Sequence, residues 1–288
     1  MSNAADQSEE TPVIELKDVR VHFKARAGSL FRPKIVKAVD GVDFSVRRGE
    51  TIGIVGESGC GKSTMASVLV GLQAPTSGQR LFRGRPLGPR AAERRAFGRA
   101  VTMVFQDAST ALNPRMTVHD ILVDPLRVHG VGDTASRTRR VHELLELVGL
   151  PSSAAEVSPT QISGGQRQRV AIARALALEP EVVVADEPTS ALDVSVRAQV
   201  LNLLSDLKSR LNLGMVFISH DIQTVRYVSD RICVMNGGRI VEEGPAQQVF
   251  DSPADAYTRT LLGAAPSLLH LAPEEDRGTH ELRTKENA

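Results

Sequence analysis

The sequence predicts an α/β fold built on a mainly parallel sheet, and two observations carry that prediction. First, short apolar runs at Thr51 to Val55, Glu181 to Ala185 and Gly214 to Ile218 alternate with helical patterns, as strands buried on both faces of a parallel sheet do. Second, each run ends in residues that carry chemistry. A glycine-rich loop follows the first, Asp186 and Glu187 close the second, and Ser219-His220-Asp221 follows the third. Ligand sites of such sheets lie along the C-terminal edge of the strands.

Taken in order, Met1 to Glu10 is polar and acidic and lacks the basic start and apolar centre of a secretory signal, so residues 1–11 are expected to be disordered and export by that route is not expected. Val13 to Phe23 alternates like an edge strand, and Lys24 to Lys37 reads as a basic insertion. Ala38 to Val46 resumes strand patterning with a turn signal inside it. Met65 to Val70 continues a helix that starts near Lys62, and Val101 to Phe105 is a short strand. Thr117 to Leu150 reads as helices, with Val141, Leu144, Leu145 and Val148 at core spacing. A long helix is expected from Val194 to Leu211, and the Pro-, Glu- and Arg-rich tail from about Ala265 is expected to end in disorder.

Composition bounds the partners. The 288 residues carry 35 basic and 34 acidic side chains, a net charge of +1 that gives no global case for binding nucleic acid. The two cysteines, Cys60 and Cys233, exclude a disulfide framework or a Cys-rich metal site and suit a reducing compartment. No stretch approaches the ~18 apolar residues of a membrane span, so membrane association is expected through another polypeptide.

The glycine-rich loop is Gly56-Glu57-Ser58-Gly59-Cys60-Gly61-Lys62-Ser63-Thr64. Its glycines let successive backbone N–H groups point inward at phosphates, and the following helix adds its positive dipole end. Lys62 is then placed for the β- and γ-phosphates, Ser63 for Mg²⁺ and Thr64 for a further phosphate contact. Cys60 reads as a small residue between two glycines rather than a nucleophile. Asp186 is the expected second Mg²⁺ anchor, and Glu187 the candidate general base that polarises an attacking water. Ser163-Gly164-Gly165-Gln166 opens a strong helix-forming run, with Ser163 near its N-cap. One phosphate loop suffices to hold ATP, so this second anion-binding helix start points to completion of a site on a neighbouring subunit.

These motifs, in this order, resemble the ATP-binding cassette (ABC) ATPases over roughly residues 13 to 250. The resemblance identifies a Q-loop at Gln106, the signature at Ser163 to Gln166, Walker B at Val182 to Glu187, a D-loop at Ser190 to Asp193 and the switch His220. It implies a RecA-like core at residues 12–250, a mainly parallel sheet with an antiparallel β edge, with a helical subdomain inserted at about 107–172 and a C-terminal extension at 251–288. It also implies two cassettes closing head to tail on ATP, each phosphate loop facing the other subunit's signature, and reopening on hydrolysis. Glu187 then positions water, His220 senses the γ-phosphate, Gln106 joins Ser63 and Asp186 at the metal and links it to the helical subdomain, and Asp193 acts across the interface. Adenine stacks on an aromatic upstream of the loop, which Phe23 fits best and Phe31 contests.

Longer text narrows the resemblance: Val36 to Phe44, Val104-Phe-Gln-Asp107 with Leu112-Asn-Pro-Arg115, Ala185 to Ser195, and Val249-Phe-Asp-Ser-Pro253 with Tyr257-Thr-Arg. It is similar to the ATPase subunits of peptide, opine and nickel importers. Such a subunit sits at the cytoplasmic face of the inner membrane on two permease subunits, pairs with an identical or different second cassette, and serves an extracytoplasmic solute-binding protein indirectly. The chain departs from that pattern at Pro159-Thr160-Gln161-Ile162 and at Ala254-Asp255-Ala256, where His-Pro is usual. Some members hold an iron–sulfur cluster in a Cys-rich extension; no Cys follows Cys233 and no cluster is expected. Rival readings are an exporter ATPase, a cassette acting on ribosomes or DNA, and a P-loop kinase, for which the signature has no use.

Overall fold

The computed structural model describes residues 11–25 and 34–264. The acidic start, Phe31 and the tail from Ala265 lie outside the described residues. Ten strands are described: β1 (Ile14–Ala25), β2 (Lys34–Val46), β3 (Thr51–Val55), β4 (Ser77–Phe82), β5 (Arg85–Pro86), β6 (Val101–Val104), β7 (Val182–Asp186), β8 (Gly214–Ile218), β9 (Arg231–Asn236) and β10 (Arg239–Pro245). The helices are α1 (Lys62–Leu69), α2 (Ala91–Ala100), α3 (Ala108–Ala111), α4 (Val118–Val128), α5 (Thr134–Leu147), α6 (Gly164–Leu176), α7 (Val194–Leu211), α8 (Ile222–Val228), α9 (Ala246–Asp251) and α10 (Ala256–Ala264).

Two sheets result. One runs β10-β9-β3-β8-β7-β6, parallel from β9 to β6 and antiparallel only where β10 joins β9. The other is antiparallel, in the order β2-β1-β4-β5. Every residue of β3, β7 and β8 is buried because both faces of the parallel sheet are covered. Alternation divides their side chains between two cores. Val183, Ala185, Met215 and Phe217 face a core shared with α4 to α7. Val182, Val184, Val216 and Ile218 face one shared with α1 and the antiparallel sheet. Each fully buried Val, Leu or Ile contributes about 1.5–3 kcal/mol relative to exposure, so the two cores dominate cohesion.

Three sequence expectations are corrected. The first strand is no edge: β1 pairs with both β2 and β4, and its bulges at Leu16/Val19 and Val21/His22 obscured its two-sided pairing in the residue pattern. The turn signal at Asp40-Gly41 is no chain reversal, since β2 runs unbroken through Gly41, whose φ of 78° matches an irregularity in the β1–β2 ladder. The basic insertion is shorter than Lys24 to Lys37, because β1 continues to Ala25 and β2 begins at Lys34.

Two local features position the site. Asp40 on β2 is buried at 8% exposure and joins the sheets, accepting from Arg239 of β10 at 2.8 Å, His22 at 3.2 Å and Lys37 at 3.3 Å. Gly53, mid-strand in β3, lies under α8, where an added Cβ would sit 2.1 Å from Val225 Cγ1 and 2.5 Å from Ser229 Oγ.

Candidate active site

The phosphate loop leaves β3 in a conformation that only glycine adopts at its turning points. Gly56 has φ 153° and Gly61 φ 112°, and a Cβ on either would meet a backbone carbonyl, Met235 O at 2.2 Å or Ala38 O at 2.0 Å. The β9–β10 turn braces the loop from outside, with Gly238 N–H donating to Cys60 O at 2.9 Å and Asp40 N–H donating to Gly238 O at 2.8 Å. Helix α1 starts at Lys62, whose buried ammonium donates to Gly56 O at 2.7 Å and Glu57 O at 2.8 Å. The positive charge is therefore held at the loop by two carbonyls and, at 3.9 Å, the Cys60 sulfur, and a phosphate oxygen is a stronger acceptor for it than any of them. Burial pushes the Cys60 thiol up, which keeps it protonated and unreactive.

At the end of β7, Asp186 is buried, and burial raises its carboxyl against the opposing pull of a hydrogen bond from Ser63. Its Oδ1 is buried without a hydrogen-bond partner. An orphaned carboxylate oxygen beside a hydroxyl fits a hard divalent cation, which prefers oxygen ligands. Among the described residues no group of three or more His, Cys, Asp and Glu side chains converges. A cation here would depend on Ser63, Asp186, nucleotide phosphates and water.

Glu187 follows with φ 45°, an unfavourable conformation for a non-glycine residue, fixed by its N–H donating to Ile218 O at 2.9 Å. That kink sends its carboxylate toward two other strand ends. Oε2 accepts from Gln106 Nε2 at 3.0 Å and lies 3.2 Å from His220 Nδ1. Residues from three separate parts of the chain thus meet on one oxygen. A cavity of about 530 Å³ in front of them is lined by Ser58, Gly59, Gly61, Lys62, Ser63 and Thr64 together with Gln106, Glu187 and His220. A carboxylate held between an amide and an imidazole at the mouth of a phosphate loop can accept a proton from water and orient it.

Other predicted residues lie elsewhere. Ser163 caps α6 in a reciprocal box, its Oγ accepting from Gln166 N–H at 3.2 Å and its N–H donating to Gln166 Oε1 at 2.9 Å. A Cβ on Gly165 would come within 2.5 Å of Val196 Cγ1, so the Ser163 to Gln166 segment packs on α7. Asp193 caps α7, accepting from Val196 N–H at 2.9 Å, a bond that holds its carboxyl below the usual range. None of these lines the phosphate-loop cavity. Phe23 is 43% exposed and registers opposite Val36, which does line it.

The model of the family described as ABC transporter matches residues 39–190, from β2 through the Glu187 kink. The chain belongs to that family. It is an ABC transporter ATPase. The oligopeptide transport ATP-binding protein OppF of Lactococcus lactis is 46% identical over 89% of this chain and 81% of its own. AppF of Bacillus subtilis, also an oligopeptide transport ATP-binding protein, is 47% identical over 88% and 78%. The dipeptide transport ATP-binding protein DppF of Haemophilus influenzae is 44% identical over 90% and 80%. Among solved structures, the dimeric, post-hydrolysis ATP-binding cassette MJ0796 with ADP and Pi superposes with a TM-score of 0.71 at 32% identity, covering 81% of this chain and 98% of that one. CbiO1 of Clostridium perfringens, part of the ABC transporter complex cbiONQ, gives 0.72 at 27%, covering 84% and 92%.

The cassette also holds two groups that sequence reasoning did not assign to the site. Gly237-Gly238, at the β9–β10 turn, lines the cavity, and Gly238 braces Cys60. Tyr257, noted only as part of a C-terminal text match, accepts from Glu57 N–H at 3.1 Å. Sequence separations of this size give no local signal, so only the fold reveals either contact.

Proposed function

We propose that this cassette energises a peptide-class importer from the cytoplasmic face of the membrane, by ATP-driven closure of a cassette pair on two permease subunits. The site reading rests on a single observation: Lys62, Ser63, Gln106, Glu187 and His220 share one cavity, while Ser163 to Gln166 stands outside it. A site complete in its hydrolytic half and lacking its second anion-binding helix start fits one finished by a partner cassette. Peptide import is favoured by the relatives named as oligopeptide and dipeptide transport ATP-binding proteins.

In this mechanism Lys62 exchanges the Gly56 and Glu57 carbonyls for the β- and γ-phosphates, and the loop N–H groups take the remaining oxygens. Asp186 and Ser63, with Gln106 alongside, would hold Mg²⁺, which when bound neutralises developing phosphate charge. Glu187 accepts the proton of the attacking water, and Gln106 and His220 hold its carboxylate in line. Phe23 is the proposed adenine platform, and Asp193 lies beside the signature that would face the partner's nucleotide.

Affinity purification of the subunit from native membranes, with mass spectrometry of what accompanies it, tests the assignment. Recovery of two permeases and a solute-binding protein is expected. Ribosomes, or no membrane protein at all, would leave the ATPase standing and remove the transport role.

A further inference from the structure

The C-terminal extension reaches the nucleotide site through one side chain. Tyr257 Oη accepts from the N–H of Glu57, the second residue of the phosphate loop, while the carbonyl of the same Glu57 accepts from Lys62 Nζ at 2.8 Å. Both faces of this residue's backbone are thus fixed, one by the lysine that should grip phosphate and the other by a helix that follows the cassette core. The helix is itself anchored at its start. Glu242 of β10 accepts from Ala254 N–H at 2.8 Å and Asp255 N–H at 3.1 Å, and Asp255 Oδ1 accepts from Tyr257 N–H at 2.8 Å.

Sheet register explains why this anchor is level with the loop. Glu242 pairs with Val234 of β9, and Val234 pairs with Val55, the last residue of β3 before the loop begins. The carboxylate that anchors the two residues leading into α10 therefore stands on the same rung of the sheet as the root of the phosphate loop. Further along α10, Leu261 and Ala264 line a cleft of about 850 Å³ shared with His220 and Asp221. A single helix borders both the phosphate loop and the His220-Asp221 segment beyond β8.

We propose that Tyr257 is a positioning residue for nucleotide binding, fixing the Glu57 peptide so that the phosphate loop's grip depends on docking of α10 against β10. This rests on the reading of Gly56 to Thr64 as the phosphate site. Without that acceptor the Gly56–Glu57 peptide keeps only the bond from Lys62 to its carbonyl, the bond the lysine gives up to phosphate, and each nucleotide must then order the loop as it binds. The cost falls on binding and not on the chemical step, because Tyr257 bonds the backbone of the loop and not the carboxylate oxygen on which Gln106 and His220 meet.

The test uses the full chain and Tyr257→Phe, which keeps the ring and removes only the acceptor. ATP and ADP titrations and steady-state hydrolysis should show Kd and KM raised about three- to tenfold, with kcat within about twofold of wild type. Glu242→Ala, which releases the segment leading into α10 with Tyr257 intact, should reproduce the same split, and it stands in if Tyr257→Phe fails to fold. A merely structural tyrosine would lower the melting temperature without separating KM from kcat. Unchanged nucleotide affinity in Tyr257→Phe overturns the proposal, as does a loss confined to kcat. Lys62→Ala distinguishes the parent reading: normal ATP binding by that variant removes the phosphate site itself, whereas its loss beside a wild-type Tyr257→Phe removes only the positioning role.

Discussion

Glu187 concentrates the chemistry because its backbone is bent into the left-handed region and its carboxylate oxygen receives two neighbours at once. Glu187→Gln preserves the shape and removes the proton acceptor. Its kcat should fall by about 10²- to 10⁴-fold while ATP still binds, leaving closed dimers that gel filtration with ATP can detect. Rapid turnover by that variant would take Glu187 out of the base role. The identities of Lys62, Ser63, Asp186, Glu187 and His220 were legible because each sits at a fixed offset from a strand end. Their convergence was not, since the 3.0 Å contact between Gln106 and Glu187 depends on β6 and β7 being neighbours in the sheet. Adenine recognition stayed open for a related reason: Phe23 is an exposed strand residue whose neighbour Val36, and not its own ring, lines the cavity.

At the scale of elements, strands buried on both faces were the most legible, and β7, β8 and α7 fall where continuous apolar runs and helical spacing put them. The antiparallel layer was less so, because bulges break the period of two on which strand reading depends. Helix α6 shows what local capping can and cannot say. Ser163 and Gln166 cap it reciprocally, which explains the helix start without any ligand. The functional claim therefore needs its own test. Ser163→Arg should abolish hydrolysis while leaving ATP binding to the monomer within about threefold, because the arginine obstructs a partner's site and not the subunit's own. A wild-type hydrolysis rate in this variant would remove the shared-site mechanism.

Across the whole molecule, Asp40 ties the antiparallel sheet to the edge of the parallel one. The Arg239 guanidinium, aided by His22 and Lys37, holds the Asp40 carboxyl well below the usual carboxylate range despite burial. A depressed folded-state pKa contributes stability that is present above the unfolded value of about 3.9 and lost as pH falls through the folded one. Arg239→Met should therefore be less stable at pH 7 and should unfold at a higher pH during acid titration followed by circular dichroism. Coincident acid midpoints would show that this junction carries no linkage. Long-range ties of this kind, like that between Glu57 and Tyr257, cannot be read from pattern, since neither partner announces the other. The same compactness has a consequence at Gly53. There the sheet and α8 are separated by a wall one hydrogen atom thick, and His220-Asp221 lead directly into that helix. A single methyl at Gly53→Ala meets Val225 of α8 and Ser229 just beyond it, at an overpacking cost of about 1–3 kcal/mol, and the expected consequence is a shift of α8 that moves His220 relative to Glu187. Slowed hydrolysis with intact ATP binding is the expected phenotype, so the catalytic alignment of this cassette is set partly by the emptiness of one position in the interior of its central sheet.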